Sequence, residues 1–147
     1  MATMLRLSAM LARHRSLQGL SFSWSRGLAR LTIRRKNIGK AANLDGLGWT
    51  WQAGFPSARQ VPVETVTADT VYARIETPCP LRGSGATAAC WRMMEYDRAI
   101  ARAAGGQFVV LQSQAEPGVT ACRVALRWAE APADDLIPAH QRAPEQN

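Results

Sequence analysis

At 147 residues, with a net charge of +7 and 47% hydrophobic against 20% charged residues, the chain has room for one globular core with extensions and too little for several domains. Its 11 glycines and 8 prolines fall short of a low-complexity or collagen-like composition, and the apolar content is that of a folded protein. No run approaches the roughly 18 to 20 uncharged apolar residues that a membrane-spanning helix needs.

The charge is unevenly spread. Residues 1–44 hold seven arginines and two lysines (Arg6, Arg13, Arg15, Arg26, Arg30, Arg34, Arg35, Lys36, Lys40) and no acid, for +9, whereas residues 45–147 hold nine arginines and eleven acids, for −2. The basic character belongs to the first third, which weakens nucleic-acid binding as a property of the whole chain and makes an anionic partner the natural one for residues 1–44. An acid-free segment rich in Arg, Ser and Leu is also the composition of an organelle-targeting presequence. Met4, Leu7, Met10 and Leu11 recur at helical spacing, with Arg6, Arg13 and Arg15 elsewhere on the wheel. A secretory signal fits poorly, because Arg13, His14 and Arg15 interrupt any apolar run, and Arg34-Arg35 lacks the apolar stretch that follows a twin arginine. The plainer reading is a solvated basic helix and strand at the edge of the domain, removable as far as Arg15 without unfolding, with the cytoplasm as the default location.

Leu20, Phe22 and Trp24 alternate with Ser21, Ser23 and Ser25, the period of a half-buried strand that Leu31 and Ile33 continue. Gly46, Gly48, Gly54 and Pro56 punctuate a stretch with Trp49, Trp51 and Phe55, read as a loop or short strand with aromatic anchors. Val71, Ala73 and Ile75 alternate with Tyr72, Arg74 and Glu76 in a strand that ends at Pro78-Cys79-Pro80.

From Ala86 to Ala104 there is neither Pro nor Gly, and good helix formers dominate, so a single helix is expected, stopped by Gly105-Gly106. Its apolar stripe runs through Ala86, Cys90, Met93, Ile100 and Ala104, and Asp97 falls on the same face as Cys90. Phe108–Gln114 and Val119–Trp128 read as an antiparallel hairpin joined by Ala115-Glu116-Pro117-Gly118, with Cys122, Val124, Leu126 and Trp128 on one face and Arg123 and Arg127 on the other. The fold class is therefore α+β, an antiparallel sheet with a C-terminal β-α-β-β unit over Val71–Trp128 and a helix packed on one face. The divisions are a basic segment 1–44, an α+β domain 45–128 and a flexible tail 129–147 rich in Pro.

Three cysteines at spacings of 11 and 32 match no C-x-x-C metal or redox motif, and an odd count argues against a disulfide framework. Buried free cysteines pack as small hydrophobes, which is the plain account of Cys122.

The ordered set Cys79-Pro80-Leu81, Cys90 with Asp97 on the next helix, Gly106, a turn with Gly118, and Cys122-Arg123-Val124 resembles the L-2-amino-thiazoline-4-carboxylic acid hydrolase-like family, itself similar to 4-vinyl reductase type small-molecule-binding domains. The resemblance covers Val66–Trp128 and has no counterpart for the N-terminal third. It implies an α+β domain with a pocket bounded by the strand end, the helix and the hairpin. The activities it implies are hydrolysis of a cyclic C–N/C–S compound or carriage of a small ligand. On that reading Cys79 is the nucleophile, Asp97 moves protons, and Cys90, Met93 and Cys122 line the substrate. A zinc ion held by the cysteines with Asp97, His14 or His140 is the alternative. Asp97 has a structural reading too, as a buried acid paired with Arg98, Arg102 or Arg123. Two functions stand. One is a small-molecule-binding or hydrolase domain with a Cys/Asp-lined pocket, and the other is a non-enzymatic accessory protein whose basic N-terminal segment binds an anionic partner. They part on whether Cys79, Cys90, Cys122 and Asp97 converge on a cavity.

Overall fold

Alternation of apolar residues along two strands builds the centre of the molecule. A computed structural model describes residues 2–142, whose elements are α1 (Ala2–Arg13), α2 (Gln18–Lys36), α3 (Leu44–Gln52), β1 (Val63–Val66), β2 (Val71–Ile75), α4 (Thr87–Met93), α5 (Glu95–Ala103), β3 (Gly106–Gln112) and β4 (Cys122–Trp128), with 3₁₀ turns at Arg15–Leu17, Ala58–Gln60 and Ala139–Gln141. The strands form one antiparallel sheet in the order β1-β2-β4-β3, so the fold is α+β and the β-α-β-β unit is present. β4 lies between the two strands that the α4–α5 crossover connects. Ile75 faces Cys122 and Val71 faces Leu126 on one side, while Phe108 faces Leu126 and Val110 faces Val124 on the other. This register aligns Val71, Ala73, Ile75, Cys122, Val124, Leu126, Phe108 and Val110 on one buried face. No helix among the described residues is long and apolar enough to cross a membrane.

α3 and α5 cover that face, and α2 packs on α5 while α1 packs on α4 and α2. Glycine permits the closest approaches. A Cβ on Gly48 would stand 2.8 Å from Val71 Cγ1, and one on Gly106 would stand 2.7 Å from Leu47 Cδ1 and 2.9 Å from the Arg127 carbonyl oxygen. Trp51 and Leu47 fill the space between, fully buried, with Trp51 5.7 Å from the ring of Phe108.

Several expected elements take another form. Residues 20–25 are the first turns of α2, not a strand, and Leu31 and Ile33 lie in the same helix. The buried positions there are Ser21, Ser25 and Ala29, spaced by four, a stripe of small side chains that lets the helix sit close to its neighbours. The aromatic residues flank the stripe. Phe22 meets Trp91 edge-on at 5.5 Å, and Trp24 donates its Nε1–H to Ser8 Oγ at 3.2 Å. α2 ends at Asn37, left-handed at φ 50°, with the Ile38 N–H donating to the Ile33 carbonyl at 3.0 Å, and its last turn carries Arg34, Arg35 and Lys36, cations suited to a helix C-terminus.

The glycine-punctuated stretch expected as loop or strand is α3, started by Asn43, whose side chain accepts the Gly46 N–H at 2.8 Å. The single helix expected over 86–104 is two, broken at Met94 (φ −73°, ψ 10°). α4 packs on α1 and α2, whereas α5 packs on α2, α3 and β3, and the break serves both sets of partners. Residues 129–142, read as a flexible tail, pack against the domain. Leu136 and Ala139 are buried, and Asp135 takes a two-pronged ion pair from Arg127 at 2.6 and 2.7 Å. Arg127, expected on the solvent face, is consequently buried. Residues 143–147, including Pro144 of that tail, and Met1 lie outside the described residues.

Candidate functional site

The strand end, helix and hairpin bring the three cysteines together as buried thiols. Cys122 on β4 and Cys90 on α4 are almost wholly buried, and Cys79, between its prolines, is half-buried. The Cys90 thiol donates to the Cys122 sulfur. That hydrogen bond, and then burial, raise the Cys90 thiol well above its ordinary range. The same bond holds Cys122 down, as does the Gln114 N–H, which donates to Cys122 Sγ at 3.2 Å. Burial pushes the Cys79 thiol up, against the Leu81 N–H that donates to its sulfur at 3.4 Å. Met93 is buried on α4 beside them in the same core.

Asp97 sits in the first turn of α5, sealed beneath Trp51. Its Oδ1 and the Trp51 Nε1 are both buried without a well-formed hydrogen bond. Burial raises the carboxyl to about 7, the nearby indole N–H and the Arg98 guanidinium pulling the other way. The arginines expected beside it bond elsewhere. Glu95, two residues earlier and so rotated to the far side of α5, takes Arg26 Nε at 2.8 Å, Arg98 Nε at 2.8 Å and Arg102 Nη2 at 2.6 Å. Arg123 is exposed on the outer face of β4. Burial pushes the Glu95 carboxyl up, but the three guanidiniums outweigh it and hold it at about 2.

Sequence reasoning missed Gln114, a fully buried side chain that ties the thiol region together. Its Oε1 accepts from the Cys79 N–H at 3.1 Å and from Arg82 at 3.0 and 2.7 Å, and its Nε2 donates to the carbonyls of Ile75 and Thr77, each at 3.0 Å. A polar run at a hairpin end reads as exposed loop, and only the facing strand end shows that it is buried. Neither histidine joins the thiols. His14 is exposed, and His140 stacks 5.1 Å from Trp91. Among the described residues no group of three or more His, Cys, Asp or Glu side chains is placed to hold a metal ion.

The larger cleft lies on the other side of α5. Arg26, Arg30 and Ile33 of α2 and Ala99 and Arg102 of α5 line an open hollow of about 390 Å³. Nearly buried Glu95 pairs with two of these arginines, yet Arg26 and Arg102 remain 52% exposed. Arg30 is a third guanidinium on the cleft wall, whereas Arg98, the other partner of Glu95, turns away to Trp91, 4.8 Å from that ring. A second hollow of about 250 Å³ lies between Arg74 and Arg123, beside the hairpin turn. Neither hollow is lined by a cysteine or by Asp97. No protein-family model matches the chain, and no curated protein or solved structure matches it either.

Proposed function

We propose that the chain is a non-enzymatic interaction protein whose N-terminal helical layer holds an anionic partner in the arginine cleft between α2 and α5. The observation that carries this reading is the local imbalance of charge. Three guanidiniums, of Arg26, Arg30 and Arg102, line an open cleft and Glu95 pairs with only two of them, so a phosphate or carboxylate group of the partner completes the pairing that Glu95 leaves unfinished. Arg30 is the residue to test, because it lines the cleft and takes part in no ion pair among the described residues. Titration of the protein with inorganic pyrophosphate is expected to show binding that weakens as salt screens the cleft, and Arg30→Glu is expected to lower the affinity at least about tenfold while leaving the melting temperature unchanged. No binding at low salt, or equal binding by Arg30→Glu, overturns the reading.

The thiazoline-hydrolase reading keeps one observation in its favour, the gathering of Cys79, Cys90, Cys122 and Asp97 within electrostatic reach of one another. Reactivity follows thiolate population and access, so on that reading Cys79, the least buried thiol, is alkylated first in the native protein. Equal labelling of all three sulfurs removes it as the nucleophile.

A further inference from the structure

α1 fully buries none of its large apolar side chains: Leu5 and Leu11 are half-buried and the others are exposed. The residues it buries are Ala9 and Ala12, and Ser8 receives the Trp24 N–H. Met4, Leu7 and Met10 stand 49%, 37% and 56% exposed. These three fall on one stripe with Leu11, at spacings of three, four and seven. An amphipathic helix docked on a domain ordinarily does the reverse and buries its largest apolar side chains. The exposure does not stop at α1. Among the described residues, six of the eight large apolar side chains that lie exposed belong to the first 31 positions, Leu17, Leu20 and Leu31 being the others.

We infer that this face of α1 lies in the surface of an anionic lipid bilayer. The apolar stripe is flanked by Arg6 and Arg13 and continues into Arg15, within a segment of nine cations and no acid. Met and Leu side chains enter the acyl boundary, and the long arginines keep their guanidiniums at the level of the headgroup phosphates. No described helix is long enough and apolar enough to span, so the association is in the plane of the interface. A second copy of the chain is the poorer occupant, because it would set one acid-free basic segment against another. A groove on a protein partner is not called for by a single convex stripe with cations on its flank. The stripe shares no residue with the arginine cleft, so the two assignments fail separately.

The test is co-sedimentation of the full chain with vesicles of phosphatidylcholine alone and of phosphatidylcholine mixed with phosphatidylglycerol. Binding is expected to the mixed vesicles only. It is expected to fall at least about tenfold in the double variant Leu7→Glu, Met10→Glu, whose exposed positions leave the circular dichroism and melting temperature unchanged. Absence of binding to the mixed vesicles, equal binding to neutral ones, or undiminished binding by the folded double variant overturns the proposal. Self-association abolished by the double variant, without vesicle binding, assigns the stripe to a second copy and overturns it too. Met10→Glu alone, at the most exposed position of the stripe, serves as a second substitution should the double variant fail to fold. Binding by folded Met10→Glu that equals the parent's overturns the assignment.

Discussion

Asp97 is where a single residue sets a property of the whole. In the unfolded chain its carboxyl ionises near pH 4, whereas in the fold it keeps its proton to about 7. Between those values the folded state holds the extra proton, so stability falls as pH rises through that window and levels off above it. At about 1.4 kcal/mol per pKa unit the contribution reaches up to about 4 kcal/mol. Asp97→Asn, isosteric and uncharged, is expected to flatten this slope in urea denaturation and to be more stable than the parent near pH 8. A variant less stable there would mean that the ionised carboxylate is held by a partner. Helical period alone put Asp97 on the face of Cys90, and strand period put Cys122 inward. What period could not reveal is that Arg98 and Arg102 serve Glu95, since two acids two positions apart on α5 compete for the same arginines and only the position of α2 settles the contest. Cys122→Ser, which puts a hydroxyl where a sulfur accepts from Cys90 and Gln114, is expected to cost about 1 to 3 kcal/mol in chemical denaturation.

At the scale of the element, α2 shows how small residues can carry a contact that large ones suggest. Ser21, Ser25 and Ala29 make the close face, so extra volume there has nowhere to go. Ala29→Leu is expected to destabilise by about 1 to 3 kcal/mol through overpacking, measured by thermal melting, and a neutral outcome would show that α2 is free to shift away from α5. The alternation of Ser with Leu, Phe and Trp satisfies both a strand pattern with the aromatics inside and a helix pattern with Ser21 and Ser25 inside, and hydrophobicity favours the wrong one. α3 was hidden by its glycines, of which Gly48 is there because Val71 leaves no room for a Cβ. The hairpin and β2 were legible because each alternates over a full strand, and the α4–α5 region was legible as helix but not as two, since no Pro or Gly marks Met94.

At the scale of the molecule, the basic segment is part of the packing. The Ala12 carbonyl accepts from Arg92 Nε at 2.7 Å in a buried position, and Ala9 and Ala12 are themselves buried. Deletion through Arg15, expected from charge alone to be harmless, is now expected to lower the melting temperature by several degrees, because Arg92 loses its acceptor and the face of α4 that α1 covers is laid open. An unchanged melting curve would show that α1 only rests on the surface. Charge patterning identified this segment as basic, but could not show that the positions it buries are small ones, Ala9, Ala12, Ser21, Ser25 and Ala29.

The sheet order has a consequence for how the chain comes off the ribosome. β2 is hydrogen-bonded on one side by its neighbour β1 and on the other by β4, which is made only after the whole helical crossover and β3. The seam of the sheet is therefore its last joint to close, and loop-closure entropy falls on it. Until Cys122–Trp128 emerges, Val71–Ile75 presents a bare apolar edge of the kind that pairs with other chains. A copy halted or nicked before that strand is thus the sticky form of this protein, and the finished one, with β4 seated, is not.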